Sequence, residues 1–238
     1  MDFSFLFARR IRYLVFNIVK RLLILFFLTS IIGVFVYRYV PVYITPLMVI
    51  RYFEQCGDEK GTNFEKTWKS IEKISPEMDV AALSAEDAKF MTHNGFDWES
   101  IGEAYEHNKT SDKVVGGSTI SQQTAKNVFL WPGRSWLRKI MESYFTVLIE
   151  KCWSKKRILE VYLNIVETGR GVYGVEAAAQ KFYKKPARKL NKTEAATIAA
   201  SFRSPLKSDI AHPDNKMIRY RNGIVKNMKY IDKITFDN

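Results

Sequence analysis

The stretch Trp136-Leu137-Arg138-Lys139-Ile140-Met141-Glu142-Ser143-Tyr144-Phe145-Thr146-Val147-Leu148-Ile149-Glu150-Lys151-Cys152-Trp153 carries no Pro or Gly. Its apolar residues recur at helical spacing, with Leu137, Met141, Tyr144 and Leu148 on one face, so one long helix is expected. Downstream, Lys155 to Val166 repeats the pattern. Gly174 to Tyr183 contains Ala177-Ala178-Ala179, which suits close helix packing. Asn191-x-x-Glu194 is a capping-box start for a further helix through Ala195, Ala196, Ile198 and Ala199. Upstream, Ser84-x-x-Asp87 reads as another start, which would put Glu86 in a first turn. Strand alternation is rare, so the fold class is mainly α. There is no internal repeat, and the pattern fades after Ser208.

At 238 residues the chain has room for one sizeable domain and an appendage. With 47% hydrophobic and 26% charged residues, it can bury a core and does not read as disordered. The net charge is +12. Residues 1–51 hold seven Lys/Arg and one acidic residue, which is half of that excess. Both parts favour an anionic partner, whether phospholipid, nucleic acid or a phosphorylated substrate. Cys56 and Cys152 have no metal-ligand spacing. Cys152 reads as a buried small hydrophobe, and a disulfide is the less favoured option.

Leu22 to Tyr37 is a run of 16 residues without a charge. A spanning helix takes about 20, and Lys20, Arg21 and Arg38 can snorkel to lengthen the span. Arg9, Arg10, Arg12, Lys20 and Arg21 precede it, so the positive-inside rule keeps the short end in the cytoplasm. Tyr37, Tyr39 and Tyr43 suit the far interface. No Ala-x-Ala-like cleavage site follows, which favours a retained anchor over a signal peptide. The expected organisation is a basic cytoplasmic end at 1–19, a transmembrane helix at 20–40 and a membrane-proximal linker at 41–60. A catalytic domain at 61–215 and a C-terminal segment at 216–238 complete it.

Chemistry concentrates between residues 86 and 164. Glu86-Asp87-x-x-Phe90-x-x-His93-x-Gly95 comes first, then Gly116-Gly117-Ser118-Thr119-Ile120-Ser121-Gln122-Gln123 with Lys126-Asn127. Arg134, Arg138, Lys139 and Glu142 follow, and then Lys155-x-x-Ile158-Leu159-Glu160-x-Tyr162-Leu163-Asn164. Two separated carboxylates, a polar glycine-led segment and a set of cations are what glycosyl transfer from a pyrophosphate needs. A base takes the acceptor's proton, donors hold the departing phosphates, and the ring is positioned for attack. Each group also has a plainer reading. Glu86 and Asp87 could satisfy a helix start. A lone His is more often packed or capping than catalytic. Arg138 and Glu142 could form a solvated pair, with Arg134 on the same stripe or on a loop after Pro132-Gly133. Val128-Phe129-Leu130-Trp131 reads as core, or as a loop dipping toward lipid to guide a prenyl tail.

Taken together these motifs resemble the peptidoglycan glycosyltransferases of family 51, and most closely their monofunctional biosynthetic members, over about residues 50–215. The resemblance implies a lysozyme-like helical domain that polymerises lipid II, inverting the anomeric centre and releasing undecaprenyl diphosphate. It implies Glu86 as general base and Glu142 as the second essential glutamate. It places Asp87, Ser118, Thr119, Gln122, Lys126, Asn127, Arg134, Arg138 and Lys139 around the substrate. Phe90, His93, Gly95 and Gly117 are structural positions of the motifs, and Lys155 to Asn164 is scaffold. The implied setting is the bacterial inner membrane with the domain outside. Its partners would be lipid II, the growing strand, the membrane and other cell-wall synthesis proteins, with no nucleic acid. No tightly bound cofactor is implied; a divalent cation, Mg or Mn, would help neutralise the diphosphate.

Two departures stand out. Ser121 replaces a common threonine, and Phe202-Arg203-Ser204-Pro205 replaces a Leu-Pro, which leaves the acceptor-side wall open. Ser204-x-x-Lys207 mimics a penicillin-binding nucleophile, but no Lys-Thr-Gly exists and the match is read as chance. A lysozyme-like hydrolase with paired carboxylates is the alternative, disfavoured by the cation set. A non-catalytic scaffold binding anionic lipid is the third reading.

Overall fold

The computed structural model describes residues 3–59, 61–111, 116–133 and 135–231, with backbone alone for residues 3–9. It divides into two compact units, Met1–Val40 and Pro41–Asn238. The first is one helix, α1 (Phe3–Tyr37). Its Arg10–Tyr37 portion is long and apolar enough to cross a membrane by length and composition. The helix continues upstream of the uncharged run, through the basic stretch.

The second unit is mainly helical, as the periodicity predicts. It holds α2 (Pro46–Gln55), α3 (Pro76–Glu86), α4 (Trp98–Thr110), α5 (Ile120–Phe129) and α6 (Trp136–Cys152). α7 (Lys155–Ile165), α8 (Val175–Tyr183), α9 (Lys192–Ser201) and α10 (Asn215–Asn227) follow. α5 packs on α6 and α7, while α9 packs on α3 and α10. The helical body thus extends through α10, and residues 216–227 are part of it. Tyr162, Tyr173, Phe90, Leu83 and Ile158 are among the fully buried side chains at its centre.

Local chemistry accounts for the helix starts. Asn191 and Glu194 form the expected reciprocal cap of α9. Ser154 and Ser135 cap α7 and α6 through the amides of Arg157 and Arg138. The small sheet was not expected. β1 (Glu65–Lys66), β2 (Glu167–Gly169) and β3 (Val172–Tyr173) lie in the order β1-β3-β2, with β1 parallel and β2 antiparallel to β3. Strands of two or three residues carry too few side chains to show a period of two.

The sequence expectations for Ser84 and Cys152 are corrected. Ser84-x-x-Asp87 does not start a helix. α3 begins at Ser75, whose hydroxyl accepts from Glu77 N–H with Pro76 in the first turn. Ser84 instead donates to Ile224 O at 3.2 Å, and Asp87, at φ −163° and ψ 77°, ends the helix. Glu86 is therefore in the last turn of α3. The face of α6 carrying Leu137, Met141, Tyr144 and Leu148 is not the buried one. Glu142, Phe145, Thr146 and Ile149 are buried, while Trp136, Leu137 and Ile140 stand exposed. Val128 and Phe129 close α5, with Phe129 stacked on Phe145 at 4.5 Å, so only Trp131 of that apolar run is exposed. Cys152 is half-buried, and both cysteines are free thiols.

Candidate active site

Glu86 lines a cavity of about 640 Å³ together with Asp87, Gly116, Gly117, Ser118 and Thr119. Two fastenings bring the first two motifs together. Ile120 N–H donates to Asp87 Oδ2 at 2.9 Å, and Thr119 Oγ1 donates to Gly95 O at 2.7 Å. His93 Nδ1 accepts from Gly95 N–H at 3.1 Å, so Nε2 carries the ring proton and donates to Asp87, 3.0 Å from either oxygen. Asp87 and His93 thus form the frame beside Glu86. Phe90 is wholly buried, with the Lys155 ammonium 4.6 Å from its ring centre. Gly95 sits at φ +91° and Gly117 lies against Ile101, where a Cβ would come within 3.3 Å of backbone.

Thr119 and Gln122 were expected at the substrate. The structure commits both to the cap of α5: Thr119 Oγ1 accepts from Gln122 N–H, and Gln122 Oε1 accepts from Thr119 N–H. Both are nearly inaccessible. The amide that reaches Glu86 belongs to the next residue. Gln123 Nε2 donates to Glu86 Oε2 at 2.6 Å, and Gln123 Oε1 accepts from Tyr162 O–H at 3.4 Å. One residue further along a helix is a turn of about 100°, which aims Gln123 at the end of α3. Ser118, by contrast, is exposed in the cavity wall.

Burial pushes the Glu86 carboxyl above its ordinary value, and Asp87 adds to this. Gln123, Arg203 and Lys126 oppose it in that order. Arg203 comes from the divergent segment after α9, and its charge now faces the carboxylate. Its guanidinium lies 5.8 Å from the ring centre of Tyr220, whose hydroxyl donates to Ala85 O at 3.1 Å.

The cations gather on α5 and α6. Glu142 is 3% exposed and accepts from Arg138 Nη1 at 2.6 Å and from Lys139 Nζ. This is a buried cluster rather than a solvated surface pair. Burial holds the Lys126 ammonium below its ordinary value. Glu142 and Glu86 pull it upward, while Arg138 and Lys139 push with the burial, so the charges of both glutamates act on Lys126. Lys126, Asn127 and Arg138 share a second cavity with Gln123. Arg134 lies outside the described residues; α6 starts after it, capped by Ser135. Asn164 accepts from Lys69 N–H and donates to Lys69 O, each at 2.8 Å, and Glu160 accepts from Ile71 N–H at 2.9 Å. The last motif thereby ties α7 to the segment before α3. Among the described residues no three His, Cys, Asp or Glu side chains converge as metal ligands.

Residues 54–229 match the family model described as transglycosylase. The chain belongs to the transglycosylase family. A protein of Bdellovibrio bacteriovorus named biosynthetic peptidoglycan transglycosylase is 51% identical over 201 residues, 84% of this chain and 80% of that protein. Proteins of the same name from Caulobacter vibrioides and Bacteroides thetaiotaomicron are 48% and 45% identical, over 87% and 90% of this chain and 87% and 86% of their own lengths. The matched span includes both glutamates, the cation cluster and α10. As a transglycosylase the chain is an enzyme of the glycosyltransferase class with a mainly helical, lysozyme-like domain. Gln123 and Arg203 act on Glu86, although the sequence reading assigned the substrate role to Gln122 and gave Arg203 none. An amide next to a capping glutamine gives no separate signal, and Arg203 stands more than a hundred residues from Glu86.

Proposed function

We propose that this chain polymerises lipid II into peptidoglycan glycan strands by inverting glycosyl transfer. The observation that carries the reading is the position of Glu86: half-buried on a cavity wall, hydrogen-bonded to Gln123, and beside a lysine that also faces Glu142. Glu86 accepts the proton of the acceptor's 4-hydroxyl. That oxygen attacks the donor's anomeric carbon as the bond to the diphosphate oxygen breaks. A single displacement gives a β-1,4 link, and undecaprenyl diphosphate departs carrying the electron pair. A carboxyl held above its usual pKa by burial suits a general base.

Lys126 and Arg138 receive the charge that develops on the leaving diphosphate, and Arg134 and Lys139 are assigned to the same task. Glu142 holds Arg138 and Lys139 in place. Ser118 and Asn127 contact the sugar-phosphate region. Thr119 and Gln122 act through the cap, as Asp87, Phe90 and His93 act through the frame. A divalent cation, Mg or Mn, would help neutralise the diphosphate. α1 anchors the enzyme in the inner membrane, with the basic end cytoplasmic and the domain outside. Other cell-wall synthesis proteins are the proposed partners there.

Incubating the full chain in detergent with lipid II, and separately with polymerised glycan, tests the reading. β-1,4 polymer and free undecaprenyl diphosphate from lipid II are expected. Cleavage of polymer without synthesis would make it a hydrolase instead.

A further inference from the structure

The second cavity, of about 330 Å³, is bordered by Lys126, Asn127, Trp131, Arg138, Arg51 and Glu167. The last two come from outside every motif discussed so far. Arg51 belongs to α2, and Glu167 opens β2. Three buried side-chain atoms of these bordering residues have no hydrogen-bond partner among the described residues: Arg51 Nε, Arg138 Nε and Glu167 Oε1. Buried polar groups are paired almost without exception in folded proteins. Two guanidinium donors left over at one cavity therefore point to an anionic ligand. Glu167 is only 5% exposed, so its free oxygen has no bulk water to turn to.

We propose that Arg51 is a further cation of the leaving-group pocket, binding the departing diphosphate together with Lys126 and Arg138. This rests on the glycosyl-transfer reading and adds a residue to it. Arg51 Nη1 donates to Glu54 Oε2 at 2.7 Å, and its Nε lies 3.6 Å from Glu167 Oε2. Two carboxylates thus hold the guanidinium, while its Nε faces Glu167 beyond hydrogen-bond distance and makes no hydrogen bond. A planar guanidinium suits diphosphate oxygens better than a point charge does. Burial pushes the Glu167 carboxyl up to about 7, so near neutrality it can donate to a phosphate oxygen instead of repelling it. Leu47, Leu130 and Pro205 also border the cavity, offering apolar surface to the first prenyl carbons.

The test is calorimetric titration of the full chain in detergent micelles with farnesyl diphosphate, using farnesol as the uncharged control. Wild type is expected to bind the diphosphate in preference to the alcohol. Arg51→Gln should weaken that binding on the order of tenfold, and Arg51→Lys by a smaller factor, since charge remains but the fork is lost. Lys109→Gln, on the exposed side of α4, should leave it unchanged. Wild-type affinity in Arg51→Gln, with loss in Lys126→Gln, would overturn the role of Arg51 and leave the pocket assignment standing. Failure of wild type to prefer the diphosphate would overturn both. If Arg51→Gln fails to fold by circular dichroism, Arg51→Lys decides: an affinity equal to wild type would overturn the guanidinium contact.

Discussion

Gln123 Nε2 donates to Glu86 Oε2 at 2.6 Å, and Tyr162 O–H fixes the far end of the same amide. Glu86 is thus held by a side chain that is itself held. Burial raises the Glu86 pKa, while Gln123, Arg203 and Lys126 lower it. With Glu86 as the proposed base, kcat/KM should fall on the acid side, at a pH above the ordinary glutamate range of about 4.3. Arg203→Ala removes a lowering charge and should move that limb to higher pH. A pH–rate profile in which the limb stays put would contradict the electrostatic role given to Arg203.

The Asp87 carboxylate accepts from His93 Nε2 and from Ile120 N–H, fastening the end of α3 to the start of α5. Asp87→Ala leaves a buried amide and a nearly buried imidazole without their acceptor. Urea unfolding should show a loss of about 1–3 kcal/mol. Activity should fall with it, because Glu86 precedes Asp87 in the chain. An unchanged unfolding midpoint would mean that the fastening carries little weight.

Gly95 combines φ +91° with crowding: an added Cβ would stand 2.8 Å from Thr146 Cγ2 and 3.0 Å from Glu150 Cγ. Gly95→Ala should cost about 1–3 kcal/mol. Gly57→Ala is the companion measurement, since nothing lies within 4 Å of a Cβ there. Its melting temperature should stay close to wild type; equal losses in the two variants would dismiss the steric argument.

Glu167 links pH to stability. Its folded pKa, about 7, lies above the ordinary value of 4.5, so the fold binds its proton more tightly than the unfolded chain does. The resulting stability is complete below about pH 4.5 and is lost as pH rises through about 7. Glu167→Gln keeps the shape and removes the titration. Relative to this variant, wild type should lose on the order of 1–3 kcal/mol between pH 4.5 and 8, read from melting curves across that range. Parallel curves would show that Arg51 already offsets the burial.

Much of this architecture is legible in the residues themselves. α6, α7 and α9 announce themselves through uninterrupted helical spacing and capping serines or Asn191-x-x-Glu194. The start of α3 was misplaced because two serines compete for the cap, and only Ser75 is followed by a proline that suits a first turn. The placement matters chemically. At the end of a helix the backbone dipole works against ionisation of Glu86, whereas in a first turn it would favour it. Which side of α6 faces inward was not legible, because its buried side includes Glu142 and Thr146 while tryptophan and leucine stand outside. These polar groups are satisfied within the helix itself: Arg138 and Lys139 turn to the Glu142 carboxylate, and Thr146 Oγ1 donates to Glu142 O. Arg51, Glu167 and Arg203 join the site through tertiary packing alone, which no local spacing encodes.

The central claim is that a single carboxylate takes the acceptor's proton, and Glu86→Gln tests it most directly. Single-turnover polymerisation of lipid II by the full chain should slow by about 10²–10⁴-fold, with lipid II affinity and melting temperature near wild type. Polymer formed at the wild-type rate by that variant would contradict the account.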